Sequence, residues 1–193
     1  YAMERHGICV DKKLLTLQTK ELSKKILELE KAAHALVGED FNLGSPKQLR
    51  AILFEKFGYN SIKKTASGVP STDESVLEKL AEDYPLPKLL LDWRTFSKLK
   101  TTYTEKLPKM VDIDSGRVYT TFSQAVVVTG RLASSDPNLQ NIPIKTAEGR
   151  RIRAAFKAPT SRKIVAVDYS QIELRIMAHL SEDVALILSL IHI

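Results

Sequence analysis

The sequence predicts an α+β fold: a helical first half, then a smaller part built on a small antiparallel sheet. Three observations carry this. Up to about Leu107, apolar residues recur at helical spacing in segments bounded by capping residues, Pro and Gly. After Pro108 the character changes to short runs rich in β-branched and aromatic residues, Val118–Phe122 and Ala125–Val128, which read as strands. Finally, four of the five residues from Ile164 to Asp168 are apolar, as in a buried strand, whereas Ile172, Ile176 and Leu180 recur every four residues, as in a helix from Gln171.

The first helix is expected over Lys12–Val37, with Asp11 as N-cap and Gly38 as stop. Leu15, Leu22, Ile26, Leu29, Ala33 and Leu36 form its apolar stripe, and Glu21 and Lys25 an i,i+4 pair on a solvated face. Ser45-Pro46-Lys47-Gln48 announces a second helix through a capping box with Pro in the first turn. Its core face is Leu49, Ile52, Leu53 and Phe57, and Gly58 ends it. Tyr59–Pro70 is a polar loop. Ser71 and Glu74 form a second capping box, opening a short helix that carries Val76, Leu77 and Leu80. A fourth helix, Pro87–Lys106, places Leu89, Trp93, Phe96, Leu99, Tyr103 and Leu107 against the first, with Trp93 as packing. Its polar face holds Arg94, Lys98, Lys100, Thr101, Thr102 and Lys106. Such a face either is solvated or meets consecutive phosphates.

Past the turn at Val111–Arg117 and the two short strands, Thr129–Pro143 reads as an ordered loop with little regular structure. A loop of that length is unusual unless functional. Its Arg131, Asn138, Gln140 and Asn141 are donors suited to the minor-groove acceptors that every base pair presents. Lys145–Lys163 is the basic stretch: Lys145, Arg150, Arg151, Arg153, Lys157, Arg162 and Lys163 against Glu148 alone give +6, equal to the net charge of the whole 193-residue chain. The positive field therefore sits in one segment, which favours nucleic-acid contact. Hydrophobic residues at 44% and charged ones at 27% describe an ordinary globular protein. Cys9 is the sole cysteine, which excludes an internal disulfide or a cysteine zinc cluster and fits a reducing compartment. No apolar run approaches the roughly 20 residues of a membrane helix, and no signal peptide is expected. The start at Tyr1 reads as a cut N-terminus.

Asp168 lies where the expected strand gives way to the expected helix. Its carboxylate can ligate a hard cation, and the free N–H groups of a helix start can meet an anion. Cation plus phosphate at one point suggests phosphoryl-transfer chemistry. The alternative is that Asp168 simply caps the helix.

The order Asp168-Tyr-Ser-Gln-Ile-Glu173-Leu-Arg175 resembles the palm motif of family A DNA polymerases. Thr129-Gly-Arg131-Leu-Ala-Ser-Ser-Asp-Pro-Asn138-Leu-Gln140-Asn141-Ile-Pro143 resembles a second signature of that family, and the likeness runs from about Met3 to about Asp183. The resemblance implies a helical thumb over 1–107, a partial palm over 108–186 and, where the pattern is lost, a non-native or truncated tail over 187–193. It implies primer-template DNA and deoxynucleoside triphosphates (dNTPs) as partners, two Mg²⁺ ions in the complete enzyme, a monomer, and a place in the bacterial cytoplasm at the nucleoid. By the same resemblance Asp168 is catalytic and holds metal with Tyr169. Ser170, Gln171, Ile172 and Glu173 meet the nucleotide, with Glu173 as the steric gate against ribose. Arg131 and Gln140 act near the primer end. Lys98, Lys100, Thr101 and Thr102 track the DNA backbone from the thumb helix, and Asn138, Asn141, Lys145, Arg150, Arg151 and Arg175 are further DNA contacts. The family's second catalytic Asp and its triphosphate-gripping helix have no counterpart here, so the chain is expected to be inactive alone. Two other readings stand: a non-catalytic DNA-binding module with a polymerase-like fold, and a nuclease or phosphatase using Asp168. The latter usually clusters several acids, which this segment lacks.

Overall fold

A computed structural model describes residues 1–191, which fall into two compact units, Tyr1–Pro159 and the residues from Thr160 onward. In the first unit, after a short helix α1 (Ala2–His6) and strand β1 (Ile8–Val10), the long helix α2 spans Lys12–Val37. Asp11 caps it by accepting the Leu14 N–H at 3.0 Å, and Gly38 ends it in the left-handed region at φ 81°. Leu15, Leu22 and Ala33 are buried as expected. At the last turn, however, Val37 is buried and Leu36 is exposed. Both positions neighbour Ala33, and the cluster with Leu43, Leu49 and Leu53 lies on the Val37 side.

Helix α3 (Pro46–Arg50) runs on as a π-helical turn, Ala51–Lys56. Ser45 caps it, but Gln48 does not close the box. The Ser45 N–H already goes to the Asn42 carbonyl, so Gln48 Oε1 accepts from the Asn42 N–H at 2.6 Å instead. Helix α4 (Glu74–Leu80) is capped by Asp73, not Ser71. Asp73 Oδ1 accepts from the Val76 N–H at 3.0 Å, while Ser71 Oγ accepts from the Asp73 N–H. The Lys63 ammonium at 2.6 Å holds the Asp73 carboxyl well below the usual range.

The expected fourth helix is three pieces: α5 (Pro85–Leu99), a π-helical turn at Lys100–Thr104, and α6 (Lys106–Lys109). In the π turn the Glu105 N–H reaches back five residues to the Lys100 carbonyl at 2.9 Å. The resulting shift buries adjacent residues, Tyr103 and Thr104. Helix α2 packs along α5 and contributes to two apolar clusters. One holds Leu15, Leu22, Leu99, Tyr103 and Leu107; the other Ala33, Leu53, Leu77, Leu86 and Leu90. Trp93 does pack, and its Nε1–H donates to Glu30 on α2 at 2.9 Å. Leu90 is fully buried in the second cluster, so Leu90→Ala is expected to lower stability by about 2–5 kcal/mol, read as a reduced urea midpoint at unchanged slope.

The sheet forms from unexpected partners. Strand β1 is central, antiparallel to β2 (Arg117–Val118) on one side and to β5 (Phe156–Lys157) on the other, with Ile8 opposite Val118 and Val10 opposite Phe156. Strands β3 (Thr121–Ser123) and β4 (Ala133–Ser135) form a separate hairpin, so the expected Thr129–Pro143 loop contains a strand. The expected run Val118–Phe122 is broken because Thr120 turns inward. Its hydroxyl lies 2.7 Å from Ser134 Oγ and donates toward the Ser135 and Pro137 carbonyls. Ala125–Val128 is not a strand: its valines lie in exposed bends and a turn and pair with no strand among the described residues.

The expected Glu21–Lys25 pair on a solvated face is also replaced. Between β4 and β5 stands helix α7 (Ala147–Arg153), capped by Thr146. Glu21 pairs with Arg151 at 2.6 Å and Lys25 with Glu148 at 2.7 Å. Gln18 Nε2 donates to the Arg151 carbonyl at 2.9 Å. The Lys25 hydrogen bond holds the Glu148 carboxyl below its ordinary range.

The second unit contains α8 (Ile172–Ser181) and α9 (Val184–Ile191). The strand expected at Lys163–Asp168 is absent. Residues 162–169 have no regular structure, and Val165 and Val167 are exposed. A β-branched run has the propensity for a strand but needs a neighbour to supply the ladder. The apolar stretch after Asp183 is helical and has a cap, since Asp183 Oδ1 accepts from the Leu186 N–H at 2.7 Å. The last two residues of the expected tail lie outside the described residues. Among the described residues no helix is long and apolar enough to cross a membrane.

Candidate functional site

In the first unit the donor-rich residues fall into two groups: those with an exposed side chain to offer and those already engaged. On the α5–α6 segment, Lys98 and Thr102 are exposed and make no side-chain hydrogen bond or ion pair among the described residues. Thr101 Oγ1 donates back to the Ser97 carbonyl at 2.8 Å, and Lys100 pairs with Glu105 at 3.3 Å. Beside them, Arg94, Thr95, Lys98, Tyr103, Pro143 and Thr146 line a cleft of about 470 Å³. Arg94 Nη1 donates to the Thr72 carbonyl at 2.7 Å, and burial draws its guanidinium below the usual range. Tyr103 donates to the Asn141 carbonyl, and burial pushes its phenol up.

The loop around β4 is built by its own polar groups. Gln140 Oε1 accepts from the Ser134 N–H, and Asn138 Oδ1 from the Gln140 N–H, each at 3.0 Å. Arg131 is exposed just before β4. Ser134 and Thr120, which tie the loop together from inside, carry no sequence signal of that role. Of the basic stretch, Lys145 is exposed, whereas Arg150 Nη1 donates to the Lys145 carbonyl at 2.7 Å and Arg151 is held by Glu21. The signal that finds Glu21 and Lys25 is complementarity with Glu148 and Arg151, more than 120 residues away.

In the second unit Asp168, Tyr169 and Ser170 are exposed and lead into α8. Asp168 does not cap that helix. Gln171 stands at the N-cap position, left-handed at φ 52°, and gives no side-chain cap. Arg175 Nε donates to the Ser170 carbonyl at 2.9 Å and so braces the turn that follows Asp168. Glu173 lies in the first turn, where a carboxylate favours the helix dipole. The Asp168 carboxylate and the Tyr169 carbonyl are hard oxygen donors that fit Mg²⁺ in kind. No group of three or more His, Cys, Asp or Glu side chains fit to hold a metal occurs among the described residues, so water or groups outside them would complete the shell.

Residues 12–191 match DNA polymerase family A, and the chain belongs to that family. It is 58% identical to DNA polymerase I of Pseudomonas aeruginosa over 94% of this chain and 20% of that protein. It is 51% identical to DNA polymerase I of Caldicellulosiruptor bescii over 97% of this chain and 22% of that protein. The POL domain of Pol1 from M. smegmatis, solved in complex with DNA primer-template and dNTP, matches with a TM-score of 0.83 at 44% identity, covering 93% of this chain and 32% of that one. The chain thus spans about a fifth of the length of these curated relatives.

Proposed function

We propose that the protein to which this chain belongs is a template-directed DNA polymerase that transfers a nucleotide from a dNTP to a primer 3′-OH. The chain contributes a thumb over 1–107 and the first part of a palm over 108–186, and the family match runs on to residue 191. The observation that carries this reading is the exposed Asp168-to-Glu173 segment running into α8, set in a chain of DNA polymerase family A. Members of that family generally depend on a divalent metal. When bound, Mg²⁺ supplies charge neutralisation and activation of the attacking oxygen. Asp168 and the Tyr169 carbonyl would hold it. Ser170, Gln171 and Ile172 lie along the incoming nucleotide, and Glu173 faces its sugar. Arg175 positions the turn. Arg131, Asn138, Gln140 and Asn141 meet the minor groove and read pairing geometry without sequence. Lys98, Lys100, Thr101, Thr102, Lys145, Arg150 and Arg151 meet phosphates. The enzyme works as a monomer in the bacterial cytoplasm. The chain alone does not polymerise, because the second carboxylate that a two-metal site needs is not supplied by it.

The direct test is a chimera: residues 12–191 replace the matching segment of the Pseudomonas aeruginosa enzyme, and primer extension is measured. Retained templated extension is expected; a chimera that folds and binds primer-template but does not extend it refutes the reading. Duplex binding by the chain itself is expected to be weak, indifferent to sequence and steeply salt-dependent. Each lost phosphate contact flattens the log–log salt slope by about 0.9. Replacing Lys98, Lys100, Arg150 and Arg151 together by Gln therefore flattens it by about 3–4 if all four engage phosphate. A flattening of about 1 means one phosphate contact among the four, the result expected if Lys98 alone engages and the other three stay with their internal partners. An unchanged slope places the contacts elsewhere.

A further inference from the structure

Helix α2 has a second face that nothing in the polymerase reading uses. Lys13, Leu17, Lys20, Lys24, Leu27 and Lys31 recur at intervals of four and three residues. At about 100° per residue these six fall within an arc of about 80°. The buried residues Leu15, Leu22 and Ala33 lie on the opposite side, and Glu21 and Lys25 are turned to α7. The stripe is therefore an outer surface about 27 Å long.

Two features separate it from a merely solvated face. Leu17 and Leu27 are 52% and 51% exposed, on a helix whose inner face is fully packed. In addition, the stems of Lys12, Lys13 and Lys20 join Leu17 and Thr16 in a shallow, mainly apolar trough. Lysine predominates along the stripe. Glu28 flanks it, 3.9 Å from Lys24 in an exposed pair that contributes little.

We infer that this stripe is a docking seam for an acidic, leucine-bearing helix of a partner protein, laid alongside α2. The spacing is that of a coiled-coil seam, in which residues on a facing helix meet every three to four positions. Four of the six seam positions are lysine, which selects carboxylates at the opposing positions. The two leucines select apolar residues at two of them and fix the register. Duplex DNA satisfies the lysines but leaves both leucines without a partner, because phosphates offer nothing apolar. An anionic bilayer surface requires the apolar side of a helix to face the lipid, and that side of α2 is buried in the fold.

The test is fluorescence anisotropy on the 193-residue chain with a labelled, helix-forming peptide of about 20 residues. The peptide carries Glu opposite the lysines and Leu opposite Leu17 and Leu27. The controls are a peptide of the same composition in scrambled order and a duplex DNA oligonucleotide. The patterned peptide is expected to bind about tenfold or more tighter than the scrambled one, and Leu17→Ser with Leu27→Ser to remove that advantage. Both side chains are exposed, so the variant should melt like the parent. Lys20→Gln with Lys24→Gln is a second arm that touches only solvated groups and should weaken the patterned peptide by a similar factor. Equal binding of both peptides, or leucine variants that bind as the parent does, overturns the seam in favour of plain charge attraction. Duplex binding that falls with the lysine variant and outcompetes the patterned peptide overturns it in favour of a nucleic-acid face.

Discussion

Asp168→Ala in the chimeric polymerase is expected to lower primer extension by about 10³-fold or more while leaving primer-template affinity within about twofold. The size follows from the role. A carboxylate that holds a catalytic cation contributes several kcal/mol to the stabilisation of developing charge, and each 1.36 kcal/mol is tenfold in rate. The selectivity follows from the position. Asp168 is exposed, caps no helix and packs against no core, so its removal unfolds nothing. It is an acid, so its removal deletes no direct contact to phosphate. Single-turnover extension and anisotropy on the same preparation separate the two effects. Near-normal turnover refutes the metal role, and a large fall in affinity with turnover unchanged assigns Asp168 to DNA positioning.

Features legible in the sequence were those written in local chemistry. Asp11 and Gly38 set the ends of α2 because a cap and a left-handed stop are settled within four residues. The apolar side of α2 was legible for the same reason, up to Leu36, where the choice between it and Val37 depends on which side Leu43 and Leu49 arrive from. Features that were not legible depend on distant partners. Ile164–Asp168 has the composition of a strand but no ladder. Ile8–Val10, only three residues long, becomes the centre of a sheet because residues 117–118 and 156–157 come to its two edges. Glu21 and Lys25 satisfy the helix-pair rule, yet each finds a nearer opposite charge on α7. The π turn at Lys100–Thr104 has no residue signature at all; it shows in the Glu105 N–H bond to the Lys100 carbonyl and in the paired burial of Tyr103 and Thr104. The candidate site divides in the same way. Asp168, Glu173 and Arg175 could be singled out as candidates because they sit in one contiguous motif. The internal engagement of Lys100, Arg150 and Arg151 could not be foreseen, since their partners are fixed by packing.

Glu173→Ala in the same chimera is expected to raise ribonucleotide use relative to deoxyribonucleotide use by about 10–100-fold in the ratio of kcat/KM. Glu173 lies five residues beyond Asp168, in the first turn of α8. In the proposed binding mode, with the nucleotide's phosphates at a cation on Asp168, this side chain can reach the sugar. Ribose and deoxyribose differ by a single 2′-hydroxyl. A side chain packed against C2′ rejects it by occupying its volume, and shortening that side chain to a methyl group opens the space. Deoxyribonucleotide incorporation falls much less, because the deleted group acts against the competitor and not for the substrate. The opposing account is that Glu173 serves the helix start through the dipole, an effect of about 0.3–1 kcal/mol that is the same whichever sugar is bound. The ratio distinguishes the two where a single rate does not. If both sugars lose kcat/KM by the same factor, Glu173 acts on the helix or on catalysis in general, and sugar selection belongs to another residue. Glu173→Gln, which keeps the volume and removes the charge, should retain most of the discrimination if exclusion is steric and lose it if the carboxylate itself repels the hydroxyl.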